Sequence, residues 1–228
     1  MKDVVLFGYG KMGSSIAKGW MLQKLNFNFF IIEKEPSLRE IASKDGFKTY
    51  ENIEDINKSQ NFKNFDVIFL AVKPQQMENL VKSFNQLNFS KSLFVSIAAG
   101  LSFSWYRSKI NKNIKIVRAM PNLPASIGFG VTGYCKSDNL SYEEENNIFK
   151  LLSAFGKAIY LKNENLIDVV TAISGSGPGY IFYLVEVLSQ IGVDQGLPIK
   201  DAKVLASETL VGTARLVETS EIDPKILK

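Results

Sequence analysis

The sequence of 228 residues contains no histidine and a single cysteine, Cys135. Without histidine, the chain has no imidazole general base, no Ser–His dyad and no histidine-bound metal. One cysteine excludes an intramolecular disulfide framework and a thiolate metal cluster within one chain, and it is typical of a reducing compartment. We therefore expect no metal site and a cytoplasmic location. Any reactive centre is expected to come from an organic cofactor.

Long apolar runs and basic clusters are also missing. No stretch reaches the roughly 18 consecutive apolar residues of a membrane span. The start, Met1 to Val5, runs into a candidate strand and leaves no room for a signal peptide before it. The formal net charge is only +4, and nucleic-acid binding favours a basic stripe with a recognisable reading motif. We expect neither a membrane nor a nucleic acid as a partner.

Short apolar runs alternate with helical patterns through the first part of the chain. Strands are predicted at residues 4–7, 29–32, 65–72, 93–97, 114–118, 126–134 and 158–161. Asn57–Asn64, rich in asparagine, is interpreted as a surface loop. Apolar strands that alternate with helices favour a parallel sheet with both faces covered. The fold class is therefore α/β, with a doubly wound sheet over residues 1–162.

The strand pattern ends near Lys162. Two long helical patterns follow, from Pro178 to Ile191 and from Pro198 to Val217, with Gly196-Leu197 between them. We predict a second, all-helical domain over residues 163–228. Because a segment of this size struggles to enclose a core alone, we expect it to pack against a second subunit.

The segment Gly8-x-Gly10-x-x-Gly13 follows the first predicted strand and opens a helix. In a dinucleotide-binding loop the first glycine allows a tight turn, the second lets the backbone approach the pyrophosphate, and the third lets helix pack on strand. The phosphates then lie over the helix N-terminus. An acidic residue, Glu33, follows about twenty positions later, as the fingerprint expects. The pattern favours a Rossmann-type domain over a glycine-rich turn of an unrelated α/β protein.

The choice between NADP and NAD stays open at this point. A carboxylate at Glu33 can bind a ribose 2′-hydroxyl and would repel a 2′-phosphate, whereas Lys34 could do the opposite. Glu33 could also do no more than end its strand.

Two further strands end in small residues, at the edge where open α/β sheets bind ligands. Ala71-Val72-Lys73-Pro74 follows one and Ala98-Ala99-Gly100 the next. Their backbone could line a ribose and a nicotinamide, although a tight turn is an equal alternative and Lys73 is more typical of a solvated lysine than of a catalytic acid. Asn122, in the proline-fixed segment from Arg118 to Ala125, offers a donor and an acceptor to a nicotinamide amide or a substrate, or else stabilises a turn.

The segment Ser174-Gly175-Ser176-Gly177-Pro178 precedes the first long helix. Pro178 suits the first position of a helix, with Gly177 or Ser176 as its cap. A loop there would present N–H groups, two hydroxyls and a helix dipole to a small anion such as a substrate carboxylate. The alternative is an ordinary capped helix start.

Together these segments resemble the pyrroline-5-carboxylate reductase family. The matching stretches, in family order, are FGYGKMG (7–13), AVKPQ (71–75), SIAAG (96–100), RAMPNLPA (118–125) and LIDVVTAISGSGPGYIF (166–182). RAMPNLPA and SGSGPGY are specific to that family, whereas the glycine motif is not.

The resemblance implies reduction of 1-pyrroline-5-carboxylate, an imine carboxylate, to L-proline with NADPH or NADH. It also implies a homodimer through the helical domain, or a ring of such dimers. With the residues derived above, the predicted cofactor contacts are Phe7, Gly8, Tyr9, Gly10, Lys11, Met12, Gly13, Glu33, Lys34, Asn52, Ala71, Val72, Lys73, Pro74, Ile97, Ala98, Ala99 and Asn122. The predicted substrate contacts are Glu164, Ser174, Gly175, Ser176 and Gly177, with Glu164, Ser174 and Ser176 as candidate catalytic residues.

One departure from the family concerns its Ser-Pro-Gly-Gly-Thr-Thr segment, whose threonine is a proposed partner of the substrate nitrogen. That segment normally follows the region matching Asp223-Pro224-Lys225, and this sequence ends at Lys228 before it. We therefore expect the helical domain to lack the family's tail. Two other functions remain open, a cofactor-binding homologue without activity and a dehydrogenase of a small hydroxy acid. Such dehydrogenases usually carry a lysine on the first long helix of the second domain, and Pro178–Ile191 has none.

Overall fold

The computed structural model describes residues 1–60, 64–84, 89 and 91–227. The chain divides into two compact units, Met1–Gly175 and Ser176–Lys228, which we call the first and the second unit. Residues 163–175, which the sequence assigned to the helical domain, therefore belong to the first unit by their contacts.

The first unit is built on one eight-stranded sheet. Its strands are β1 (Lys2–Phe7), β2 (Phe27–Ile32), β3 (Lys48–Tyr50), β4 (Val67–Leu70), β5 (Leu93–Ser96), β6 (Lys115–Met120), β7 (Gly130–Lys136) and β8 (Gly156–Tyr160). They lie in the order β3-β2-β1-β4-β5-β6-β7-β8. All neighbours are parallel except β6 and β7. The carboxyl ends of β1 to β6 therefore meet at one edge, and the strand order reverses direction at β1, where open sheets bind ligands.

Helices connect these strands and form the whole second unit. In the first unit they are α1 (Lys11–Leu22), α2 (Pro36–Lys44), α3 (Ile53–Gln60), α4 (Pro74–Ser83), α5 (Phe103–Lys109), α6 (Tyr142–Ser153) and α7 (Leu166–Val170), with a 3₁₀ helix at Leu123–Ile127 and a π-helical turn at Thr171–Gly175. In the second unit they are α8 (Gly177–Asp194), α9 (Ile199–Thr219) and α10 (Pro224–Leu227).

Both faces of the sheet carry a buried core. Successive residues of a strand point to opposite faces. Val4 and Leu6 of β1 accordingly pack into one apolar cluster with Trp20 of α1, and Val5 and Phe7 pack into a second cluster on the other face. The covered parallel sheet predicted from the apolar strands is confirmed.

Every predicted strand is present, but the one predicted at residues 126–134 begins later. Pro124 lies in the first turn of the 3₁₀ helix, and Gly128, with φ of +78°, ends it. Ser126 and Ile127 are therefore helical, and β7 begins at Gly130.

The interpretation of Asn57–Asn64 as a surface loop is wrong for residues 57–60, which continue α3. Residues 61–63 lie outside the described part of the chain. Ile53 and Ile56, one helical turn apart, are both buried and attach this helix to the core. β3 was not predicted either, because Lys48–Tyr50 has only three residues and no apolar run.

The segment before the second unit packs on the sheet. Ile167 of α7 is buried against Met120 of β6 and Cys135 of β7. The loop predicted at Ser174 is wrong, because Thr171 to Gly175 form a π-helical turn. The hydroxyls of Thr171 and Ser174 each donate to the carbonyl oxygen four residues earlier, at 2.8 and 3.1 Å, and bond the turn to α7.

The second unit buries small side chains only, among the residues described for it. Ser189, Ala202 and Ala206 are its buried residues, and α8 approaches α9 closely at Gly192, where an added Cβ would lie 3.0 Å from that of Ala202. Large apolar side chains remain exposed on a single chain, among them Tyr180, Phe182, Tyr183, Leu184, Leu188, Val204, Leu205 and Leu216. Within the described residues, neither of its long helices, nor any other, has the length and hydropathy needed to cross a membrane.

Candidate active site

The glycine loop joins β1 to α1 at the carboxyl edge of the sheet. Gly8 has φ of +97°, and a Cβ there would lie 2.8 Å from the carbonyl oxygen of Ala71. A Cβ at Gly13 would lie 2.1 Å from the carbonyl oxygen of Gly8, so α1 packs directly on the turn. At Gly10, by contrast, an added Cβ would meet nothing within 4 Å. The turn and the close packing thus each require a glycine, while the backbone at Gly10 faces open space.

The N-terminus of α1 is open to an anion. Gly10 is the N-cap residue, no side chain caps the helix, and the first turn contains no acidic residue. Unpaired N–H groups and the helix dipole favour negative charge at such a position. This helix start and the open space at Gly10 fit the pyrophosphate of a dinucleotide.

Glu33 joins the end of β2 to the glycine loop. Its Oε2 accepts a hydrogen bond from the backbone N–H of Tyr9 at 2.6 Å, and its Oε1 accepts one from the N–H of Glu35 at 2.9 Å. The buried Tyr9 side chain donates to Asp45 at 2.7 Å, and burial raises the pKa of the Tyr9 hydroxyl above its ordinary value. The carboxylate of Glu33 is therefore fixed beside the loop from both of its oxygens.

Arg39 of α2 lies beneath the same turn. Its Nη1 donates to the carbonyl oxygens of Glu33 and Lys34 at 2.7 and 3.1 Å, and its Nη2 pairs with Glu51 at 3.4 Å. The Lys34 side chain is exposed. The guanidinium of Arg39 thus stabilises the turn. The sequence pattern did not indicate this role.

Five other predicted cofactor positions follow β3 and β4. Asn52 comes after β3, and its Oδ1 accepts the N–H of Asp55 at 3.1 Å in the first turn of α3. Ala71 and Val72 follow β4 and are half-buried. Ala71 donates its N–H to the carbonyl of Phe7 at 2.9 Å, which places it against the glycine loop. Lys73 and Pro74 are exposed where α4 begins, as expected of a solvated lysine.

Two buried hydroxyls, those of Ser96 and Tyr106, stabilise the end of β5. Ser96 and Tyr106 share a buried hydrogen bond of 2.5 Å, and Ser96 Oγ also accepts the N–H of Ala98 at 3.2 Å. Burial raises the pKa of Tyr106 to about 12, against the smaller opposing effects of Ser96 and Arg118. Ala98 is buried, Ile97 is half-buried and Ala99 is exposed, so small side chains line this part of the edge.

An ion pair lies at the part of the edge that β6 forms. Arg118 of β6, whose side chain is 7% exposed, bonds Glu164 at 2.7 Å. The same Oε1 of Glu164 accepts the N–H of Phe103 at 2.6 Å. One carboxylate oxygen therefore joins β6, the start of α5 and the segment before α7.

Asn122 and Gly175 approach the end of β6 from two directions. Asn122 is buried, and its Oδ1 accepts the N–H of Val131 at 2.9 Å. A Cβ at Gly175 would lie 3.5 Å from the Met120 side chain. The acceptor half of the Asn122 amide thus supports the start of β7.

In the second unit, Ser176 is the N-cap residue of α8 and Gly177 is its first helical residue. The Ser176 side chain makes no capping hydrogen bond, and the first turn of α8 contains no acidic residue. Pro178 lies in the first turn, as predicted. Ser176 has helical backbone angles (φ −84°, ψ −22°), so α8 continues directly from the π-helical turn.

The predicted cofactor residues all lie at or after the carboxyl ends of β1 to β6, so the structure brings them to one edge of the sheet. Glu164, Ser174 and Gly175 belong to the first unit, whereas Ser176 and Gly177 begin the second. Sequence reasoning missed Arg118 as a site residue. A signal was available, since an arginine within a buried strand requires an anionic partner.

Comparisons with known proteins agree with this geometry. A family model described as pyrroline-5-carboxylate reductase dimerisation matches residues 164–228. Another, described as NADP oxidoreductase coenzyme F420-dependent, matches residues 3–100. Pyrroline-5-carboxylate reductase of Aquifex aeolicus is 30% identical over 224 residues, which are 98% of this chain and 81% of that protein.

Solved structures are similar along the same length. A pyrroline-5-carboxylate reductase from Coxiella burnetii gives a TM-score of 0.88 at 28% identity, over 99% of this chain and 83% of the other. The pyrroline carboxylate reductase from Plasmodium falciparum, solved with NADP bound, gives a TM-score of 0.81 at 25% identity, over 99% and 82% of the two chains.

Proposed function

Because this chain belongs to the pyrroline-5-carboxylate reductase family, we propose that it reduces 1-pyrroline-5-carboxylate to L-proline with NADPH or NADH. The observation that carries the proposal is the cradle at the carboxyl edge of the sheet, where an open backbone at Gly10 leads into the uncapped start of α1. The relatives of that name match nearly the whole chain.

The proposed chemistry requires binding and orientation more than acid–base catalysis. A nicotinamide, when bound, supplies the hydride for the imine carbon. The residues of this chain hold and align the two ligands. In the proposed site the glycine loop holds the phosphates, Glu33 lies at the ribose, and the nicotinamide half is lined by Ala71, Val72, Ile97–Ala99 and Asn122.

Ser174, Gly175, Ser176 and Gly177 are proposed to bind the substrate carboxylate. Support comes from the start of α8, whose N-cap side chain is not used in capping and whose first turn carries no acidic residue. An anion near such a start gains from the helix dipole.

Glu164 is proposed to face the cationic form of the imine. Arg118 and the Phe103 N–H hold its Oε1, while Oε2 accepts no hydrogen bond from the described residues. A fixed carboxylate favours a protonated nitrogen beside it. Since the protonated imine is the better hydride acceptor, this arrangement works in a chain without histidine.

The chain carries the dimerisation domain of its family at residues 164–228, and we propose a homodimer that covers the exposed apolar side chains of α8 and α9. A ring of such dimers and a cytoplasmic location remain predictions. The helical domain is proposed to begin at residue 163, near the start of that family match. The hydroxy-acid alternative is not favoured, since α8 contains no lysine.

The direct test follows the oxidation of NADPH and of NADH by the purified chain with and without 1-pyrroline-5-carboxylate, and identifies L-proline as the product. Oxidation that depends on the imine is expected with at least one cofactor. A chain that binds either dinucleotide but oxidises neither in the presence of the imine would contradict the proposed activity.

Variants test the proposed substrate residues. Ser174→Ala and Ser176→Ala are each expected to raise the KM for the imine by roughly tenfold, the effect of losing one hydrogen bond to a charged group. Glu164→Gln is expected to lower kcat by roughly tenfold or more. Ser207→Ala is the matched control for the serines, because Ser207, like Ser174, donates to the carbonyl oxygen four residues earlier. Glu186→Gln is the control for Glu164→Gln, because Glu186 is exposed on α8. Equal effects in variants and controls would contradict the assignment.

A further inference from the structure

We infer that Glu33 makes NADH the preferred cofactor of this chain, although one matching family model is described as an NADP oxidoreductase and one similar structure was solved with NADP bound. The inference rests on the proposed function, because it concerns the dinucleotide that the same site takes. It depends on which side chains at the turn after β2 are free to meet a 2′-phosphate.

The carboxylate of Glu33 cannot move aside without breaking two backbone contacts. Tyr9 donates to one oxygen at 2.6 Å and Glu35 donates to the other at 2.9 Å. Each oxygen retains a further acceptor position, so the group can accept ribose hydroxyls where it stands. A 2′-phosphate at the same place would meet a fixed like charge.

The nearest guanidinium, that of Arg39, already has an anionic partner and a fixed place at the turn. Arg39 donates to the carbonyls of Glu33 and Lys34 and pairs with Glu51. Three of its five N–H donors are used in these bonds, which hold the guanidinium against the turn and beside the carboxylate of Glu51. An arginine near this turn is the usual partner of a 2′-phosphate, and here its charge is already paired with Glu51 and its position is fixed by two carbonyl oxygens.

The charges of the surrounding segment point the same way. The segment from Glu33 to Arg39, together with Glu51 that pairs with it, carries three carboxylates, those of Glu33, Glu35 and Glu51, and two cationic side chains, Lys34 and Arg39. Only Lys34 is exposed without a side-chain partner among the described residues, and a flexible lysine contributes a point charge rather than a bidentate bond. A dianionic phosphate therefore meets net negative charge here.

The test compares kcat/KM for NADH and NADPH at saturating imine, together with the dissociation constants of both cofactors measured by fluorescence titration without imine. NADH is expected to be favoured by roughly tenfold or more. In Glu33→Gln the ratio is expected to shift toward NADPH by about as much, because the amide keeps the shape and removes the charge. In Arg39→Met the preference is expected to remain for NADH.

Glu40→Gln is the matched control. It removes one carboxylate from α2 that pairs with Lys44 at 2.6 Å, and it should leave the ratio unchanged. A merely structural effect of Glu33 on the loop would weaken both cofactors together and leave the ratio where it was.

The outcomes separate this inference from the proposed function. Imine reduction with NADPH used as well as NADH, or an unchanged ratio in Glu33→Gln, would overturn the inference and leave the function standing. Preferential NADH binding that shifts in Glu33→Gln, without any imine reduction, would support the inference and contradict the function.

Discussion

Gly10 and Gly13 belong to one loop but differ in what surrounds them. An alanine methyl at residue 13 would meet the Gly8 carbonyl oxygen at 2.1 Å, whereas at residue 10 it would meet open space. Gly13→Ala is therefore expected to lower the free energy of unfolding by about 1–3 kcal/mol. Gly10→Ala is expected to leave it within about 0.5 kcal/mol, yet to weaken dinucleotide binding by roughly tenfold or more, because the methyl occupies the approach to the phosphates.

Urea unfolding and NADH titration of the two variants measure both effects. Equal losses of stability at residues 10 and 13 would contradict the close packing of α1 on the turn. Unimpaired dinucleotide binding by Gly10→Ala would contradict the placement of the phosphates.

Cys135 is expected to be an unreactive thiol in the folded chain. Burial raises its pKa to about 11, and the nearby Arg118 lowers it only in part. Because the thiolate is the reactive form, alkylation at about pH 8 should be much slower in the folded chain than in urea. Mass spectrometry reads this directly, since the chain has one cysteine. Rapid labelling of the folded protein would show that the end of β7 is open to solvent.

At the scale of elements, α6 begins with a reciprocal cap that also bonds the sheet. Ser141 Oγ accepts the Glu144 N–H at 3.3 Å, Glu144 Oε2 accepts the Ser141 N–H at 2.8 Å, and Lys115 of β6 pairs with Glu144 at 2.7 Å. Burial by itself raises the pKa of Glu144, but the hydrogen bonds from Lys115 and Ser141 outweigh it, and the net pKa lies below the ordinary value.

A carboxyl whose pKa is lowered by folding stabilises the folded chain above its unfolded pKa of about 4.3, and this stability is lost as the pH falls through the lower, folded value. Glu144→Ala is therefore expected to lose about 1 kcal/mol at neutral pH, the usual value of a helix cap, and less in acid. Urea unfolding at both pH values measures the difference. Glu143→Ala, an exposed neighbour in the same turn, is the control, and a loss that is as large in acid as at neutral pH would contradict the pairing.

Elements with a strong local pattern could be predicted from the sequence, and those defined by distant contacts could not. The apolar runs of β1 and β4 and the glycine loop between β1 and α1 were evident, because burial on both faces requires apolar residues at every position. β3 has no such pattern. The loop prediction at Ser174 and Gly175, which end the π-helical turn, is wrong because glycine and serine usually favour turns over helices.

The candidate site divides in the same way. The turn at Gly8 and the close packing at Gly13 require glycine at those positions, so the spacing of the glycines in the sequence identifies the loop. The bond between Arg118 and Glu164 joins residues 46 positions apart, and the clamp of Arg39 on two carbonyls depends on how α2 lies against β2. Neither has a local pattern.

For the whole molecule, the second unit predicts an association that can be measured. Because α8 and α9 bury small side chains and expose large apolar ones, the chain is expected to sediment as a dimer, with a melting temperature that rises with protein concentration. Phe182→Glu and Leu205→Glu are each expected to weaken the dimer by about 1.4 kcal/mol or more, a tenfold change in its dissociation constant. Ile41→Glu, at an exposed apolar position of α2, is the control. Sedimentation of the unaltered chain as a monomer at micromolar concentration would contradict the proposed dimer.

The small residues between α8 and α9 have a consequence for the chain as it is made. Since Ala202, Ala206 and Ser189 are all that this pair buries among its described residues, each newly translated copy leaves the ribosome with a broad apolar surface still in water. Until another copy covers that surface, chaperones, proteases and aggregation compete for it. The amount of usable protein in a cell should therefore rise more steeply than the rate of synthesis, because two chains must meet before either is protected.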